Sequence, residues 1–166
     1  MKIIVLSDLH FANDDFSLRI LAGLEKVTSE KPDALLLCGD NVEVSGNCRT
    51  HRYLFTFLRS KFDCPIGFVA GNHDLWTSRW QIKSEAMLNE ILPEIAEKNK
   101  VEYLENKIMQ VGKWNIAGTY GHYDYSLAGL SDKVTMQDVK NFYITIEGKT
   151  ICWMDGWKIP EFFKLR

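Results

Sequence analysis

Three short apolar runs constrain this chain most: Lys2–Ser7, Ala34–Cys38 and Ile66–Ala70. Each is continuously apolar at its centre rather than alternating, and each is too short for an amphipathic helix. Burial on both faces is the mark of a strand inside a parallel sheet. Between the runs lie stripes at helical spacing. Phe16, Ile20, Leu21, Leu24 and Val27 form the first, closed by Lys31-Pro32-Asp33; Tyr53, Leu54, Phe57, Leu58 and Phe62 form the second. Strand–helix–strand–helix–strand predicts an α/β fold, a parallel sheet with helices on its faces.

Further along, Trp80, Met87, Leu88, Ile91 and Ile95 predict a third helix, interrupted at Pro93. The pattern then changes to short strands. Val101–Leu104, Lys107–Val111 and Trp114–Gly118 follow one another, with Gly112-Lys113 as a tight turn. Tyr143–Ile146 and Thr150–Trp153 suggest another hairpin around Gly148. This half reads as the start of a second, mostly antiparallel sheet. With no repeat or linker, residues 1–166 are expected to form a single domain.

Composition excludes several classes. The longest uncharged apolar runs, Ile3–Ser7 and Ala34–Gly39, fall far short of the ~20 residues of a membrane helix. A net charge of −2 argues against an extended nucleic-acid-coating surface. The four cysteines, Cys38, Cys48, Cys64 and Cys152, include no Cys-x-x-Cys pair. They read as reduced thiols of a cytoplasmic protein, with Cys38 and Cys152 buried.

Chemistry gathers where the strands end. Successive parallel strands point the same way, so their C-terminal ends share one sheet edge, where ligands of open α/β sheets bind. The first strand delivers Asp8 and His10 to that edge, the second Gly39-Asp40, and the third Gly71-Asn72-His73-Asp74. Each piece alone is ordinary turn or cap chemistry. Together, carboxylate, imidazole and amide oxygen suit a divalent transition metal, and an aspartate between two ions can bridge them. His51, between Arg49 and Arg52, reads as a surface residue. Trp76 and Trp80 wall the cleft or fill the core, and the tyrosines Tyr120, Tyr123 and Tyr125 stack on a base or simply pack.

Ser-Asp8-Leu-His10, Cys-Gly39-Asp40 and Ala-Gly71-Asn72-His73-Asp74 resemble the motifs of the calcineurin-like metallophosphoesterases, a likeness running from Met1 to about residue 120. A later segment, Gly118–Gly121, Tyr123–Ser126 and Trp153–Asp155, is similar to that of small prokaryotic phosphoesterases of the family. The resemblance implies a β-sheet sandwich flanked by helices. It implies that Asp8 and His10 hold one ion, that Asp40 bridges two, and that Asn72 binds the second. The ions would be manganese, zinc, iron or nickel. His73 would contact the phosphate and protonate the leaving group, with Asp74 orienting its imidazole or capping the next segment. A metal-bridging hydroxide would attack a phosphomonoester or phosphodiester, either a small molecule or a nucleotide.

The family pattern continues with a His at a strand end and a Gly-His-x-His pair, and neither occurs in this chain. After His73 the only histidine is His122, in a segment where the family carries no ligand. The expectation is therefore a domain truncated at its C-terminus, its second sheet incomplete, holding one ion or none and poorly active alone. Trp153, Trp157, Phe162 and Phe163 suggest contact with a missing C-terminal segment or a second copy in a homodimer. A non-catalytic remnant acting only as a binding partner is the competing function. An aspartyl-nucleophile phosphatase fits worse, because it needs a second aspartate where His10 stands.

Overall fold

The computed structural model describes residues 1–12, 14–43, 48–75, 82 and 84–120, and the backbone of Tyr143–Ile146 and Lys149–Cys152. The chain forms two compact units, Met1–Tyr120 and Gly121–Arg166. In the first, β1 (Ile3–Leu6), β2 (Ala34–Cys38), β3 (Ile66–Val69) and β4 (Glu102–Tyr103) make one parallel sheet in that order. The expected strand–helix alternation is present, with α1 (Asp15–Thr28) after β1 and α2 (Arg49–Lys61) after β2.

Side chains alternate across a strand, so register decides what each face carries. Leu35 pairs with Ile66 and Leu37 with Phe68, all fully or almost fully buried. Phe55 of α2 packs edge-on against Phe68, ring centres 4.9 Å apart, so this face is the helical one. The opposite face carries Ala34, Leu36 and Val69, packed against Met109, Val111 and Ile116. Those last residues belong to an antiparallel hairpin, β5 (Met109–Val111) and β6 (Trp114–Ile116), turned at Gly112 with φ +58°. In the second unit, β7 (Tyr143–Ile146) and β8 (Lys149–Cys152) form the other hairpin. The predicted β residues at 117–118 and at Trp153 lie beyond these strands or outside the described residues.

Several expectations are corrected. The strand at Val101–Leu104 does not open a second sheet: as β4 it extends the first, in parallel with β3. Pro93 does not break its helix. Helix runs through α3 (Ser84–Ala86), a π-turn (Met87–Ile91) and α4 (Leu92–Lys98), with Pro93 in the first turn of α4. Proline lacks an N–H and its ring crowds the carbonyl four residues back; the wider π-turn, in which Leu92 N–H reaches the Met87 carbonyl, absorbs both. β1 is a strand, but it lies at the sheet edge and Val5 is exposed. The buried stripe of α1 omits exposed Phe16, and that of α2 is His51, Leu54, Phe55 and Leu58 rather than one including exposed Tyr53. Cys38 is exposed, and Cys48 is buried. Cys152 falls on β8, where only backbone is described. Among the described residues no helix is long and apolar enough to cross a membrane.

Candidate metal centre and active site

The loops leaving β1 and β2 run side by side. Asp8 N–H donates to the Gly39 carbonyl (3.1 Å), His10 N–H to that of Asp40 (2.9 Å) and Phe11 N–H to that of Asn41 (3.1 Å). Glu43 N–H returns to Phe11 (3.0 Å). Running this ladder past the strand ends takes unusual backbone. Asp8, His10 and Asp40 all adopt positive φ, +53°, +45° and +48°. Left-handed backbone is uncommon outside glycine, although aspartate and histidine adopt it more often than most residues, and such geometry gathers at functional sites.

The result is convergence. Ligand atoms of Asp8, His10 and Asp40 all lie within 4.8 Å of one another, with Asp8 exposed and the other two half-buried. Two hard carboxylates and an imidazole are a donor set that fits a divalent transition ion. Asn72 is half-buried in the same cluster of loops, between Gly71 and His73, and its carbonyl accepts Leu75 N–H (3.1 Å).

The third loop is locked onto the second. His73 N–H donates to Asp40 Oδ1 (3.0 Å). Gly71 lies flush on Asp40: a Cβ there would overlap the aspartate's carboxylate and amide nitrogen. Only glycine permits that approach.

Glu43, which sequence reading missed, sits between the two imidazoles. Its Oε2 is 2.9 Å from His10 Nδ1 and 3.0 Å from His73 Nδ1. The rings meet edge to face at 4.4 Å. A carboxylate at Nδ1 holds each ring by that nitrogen and fixes its orientation. His10, Glu43 and His73 also bring ligand atoms within 4.8 Å of one another, so His10 belongs to both groupings.

Asp74 takes other partners than the His73 ring. The carboxylate facing the His73 ring is that of Glu43. Asp74 is instead only 1% exposed, and its oxygens accept from the backbone N–H groups of Asn41, Val42 and Gly71, from Asn41 Nδ2, and from His51 Nε2. The two neighbours face different partners because a 3₁₀ turn, His73–Leu75, rotates consecutive side chains apart. His51 is likewise not on the surface; it is fully buried. Nearby, burial and the charges of Glu105 and Asp74 push the Tyr103 hydroxyl well above its ordinary pKa.

A family profile for calcineurin-like phosphoesterases matches residues 1–160. The chain belongs to the calcineurin-like phosphoesterase family. No curated protein matches it. Membership in this family of metal-dependent phosphoester hydrolases accords with the parallel sheet flanked by helices and with the donor groups at its edge. Of the family-like features read in the sequence, His122, Tyr123–Ser126, Trp153–Asp155 and the aromatic residues Trp76, Trp80, Trp157, Phe162 and Phe163 lie outside the described residues.

Proposed function

We propose that this calcineurin-like phosphoesterase hydrolyses phosphomonoester or phosphodiester bonds, with Asp8, His10 and Asp40 holding a divalent transition ion and Asp40 and Asn72 contributing to a second. The observation that carries this reading is the convergence of Asp8, His10 and Asp40 beside His73. Divalent ions bound there would supply Lewis acidity toward phosphoryl oxygens and a nucleophilic water near neutral pH.

The chain's own groups do the rest. His73 donates a proton to the departing oxygen, its ring held by Glu43 at Nδ1. Glu43 fixes His10 through the same oxygen, so metal ligand and proton donor share one anchor. Asp40 ties the loops together through the His73 amide, which keeps the proton donor at a set distance from the ligand cluster.

One observation favours a second reading, a metal-binding module with little turnover. Four histidines are present, and His51 is shut inside the core against Asp74. His10 and His73 are therefore the imidazoles at the centre among the described residues. The test is manganese loading of the parent and of Asp40→Ala, with turnover of nitrophenyl phosphate monoesters and diesters. The expected result is metal that drops in Asp40→Ala; ester hydrolysis that saturates with manganese supports the phosphoesterase reading and overturns the expectation of a chain poorly active alone. Equal metal content in the two proteins refutes the ligand assignment; metal without turnover supports the second reading.

A further inference from the structure

We propose that the buried His51–Asp74 pair is a positioning element that sets the distance between the Asp40 loop and the Asn72–His73 loop, although neither residue belongs to the proposed ligand or proton-donor set. This rests on the reading of Asp40 as a metal ligand and extends it to residues with no assigned part in the chemistry. His51 is 0% and Asp74 1% exposed. A carboxylate in that position must have its charge answered by hydrogen bonds, since water does not reach it.

The donors come from three separate places. Gly71 N–H (2.8 Å) belongs to the loop after β3. Asn41 N–H (3.2 Å), Asn41 Nδ2 (3.1 Å) and Val42 N–H (3.1 Å) belong to the loop after β2. His51 Nε2 (3.0 Å) comes from α2. One carboxylate therefore holds the residue before Asn72 and the residues after Asp40 at a single separation. At that separation Gly71 lies against Asp40 and the His73 amide reaches Asp40 Oδ1.

His51 supplies what the loops cannot. Its ring is wedged edge-on between Phe55 (6.2 Å) and Phe68 (6.4 Å), side chains of α2 and β3. Its position is thus set by the core, and it ties Asp74 to that core. Without it, Asp74 Oδ1 keeps the bond from Val42, and the carboxylate can follow the loops instead of restraining them. The sheet and helices should survive, while the spacing that the metal ligands need becomes loose.

The test compares His51→Leu, which keeps bulk and removes the donor, with His51→Gln, which places an N–H near the lost Nε2. Two readouts are needed: Mn²⁺ affinity by titration calorimetry, and hydrogen exchange of the Asn41, Val42 and Gly71 amides against those of Leu36 and Phe68. In His51→Leu, affinity should fall about 10–100-fold, the range for residues that orient metal ligands. Exchange should quicken at the three loop amides and stay unchanged in the strands, and His51→Gln should recover most of both. Should the leucine variant not fold, His51→Asn, whose amide falls short of Asp74, replaces it with the same expected losses.

Parent-like affinity in a folded leucine variant would overturn the proposal. Equal losses in the leucine and glutamine variants would do so too, as would exchange that quickens as much in the strands as in the loops. A parent that binds no Mn²⁺ refutes the metal reading itself. The exchange pattern then decides this inference alone: loop-confined change upholds it and uniform change rejects it.

Discussion

Replacing Gly71 by alanine tests the close approach on which the site is built. The added Cβ would stand 2.9 Å from Asp40 Cγ and closer still to that residue's Oδ1 and backbone nitrogen. Gly71 does not occupy left-handed backbone, so the cost is steric rather than conformational. A flexible side-chain tip would swing aside, but here backbone and a hydrogen-bonded carboxylate meet the new methyl. Either the loops part or Asp40 leaves its place. Overpacking of this kind costs about 1–3 kcal/mol. Parting the loops also loosens the His73 amide's bond to Asp40 Oδ1, a bond of a class contributing roughly 1.5–3 kcal/mol when the acceptor is charged. Both effects act on one carboxylate, so they do not simply add, and about 2–4 kcal/mol is the expected loss of stability. Because Asp40 is the group displaced, Mn²⁺ affinity should fall by at least about tenfold, as for a lost orienting contact. Gly23→Ala is the control: a Cβ there meets nothing within 4 Å, in the middle of α1. It should stabilise by about 0.5–1 kcal/mol, the usual difference between alanine and glycine in a helix. Urea unfolding of both variants, each followed by a Mn²⁺ titration, gives the numbers. A Gly71→Ala protein as stable and as tightly metal-binding as the parent would refute the claim that Asp40 is seated on Gly71.

The other predictions concern the proton donor and a helix cap. His73→Ala should lower turnover about 10²–10⁴-fold, the range for general acid catalysis, with a smaller loss for nitrophenol than for an alkyl leaving group. Equal losses for both leaving groups would remove His73 from that role. Glu43→Gln should likewise cut turnover more than metal content, read by steady-state kinetics beside elemental analysis; parent-like kinetics would show that the shared carboxylate does not orient His73. Asp14 caps α1 by accepting the Ser17 amide (2.9 Å), and its hydrogen bonds to Ser17 hold its carboxyl below the ordinary 3.8. A depressed folded pKa means the stabilisation is complete above the ordinary value and lost as pH falls through the folded one. The difference in thermal stability between parent and Asp14→Ala should therefore stay level down to about pH 4 and shrink below it; a difference that widens in acid would contradict the cap.

Local spacing was enough for much of this. Continuous apolar runs located β1, β2 and β3 almost to the residue, and Gly112-Lys113 marked the turn of the β5–β6 hairpin. Because parallel strands share an edge, spacing alone leads one to expect Asp8, His10, Asp40, Asn72 and His73 at one end of the sheet, and the structure brings the ligand atoms of Asp8, His10 and Asp40 together there. His51 carried a readable signal as well. It lies three, four and seven residues before Leu54, Phe55 and Leu58, one helical face, but flanking arginines made it look solvated. Strand partners and loop contacts were another matter. Val101–Leu104 has no feature that separates a parallel fourth strand from the start of another sheet, since its pairing with β3 is a contact between distant segments. Glu43 sits in a polar loop whose sequence does not say which side chain turns inward. Its partners His10 and His73 are 33 and 30 residues away. Asp74 and His73 are adjacent in sequence, yet a single 3₁₀ turn sends one to the core and leaves the other at the cleft. Periodicity reports only which face of its own element a residue occupies; what that face meets depends on where the rest of the chain returns, and packing alone decides it.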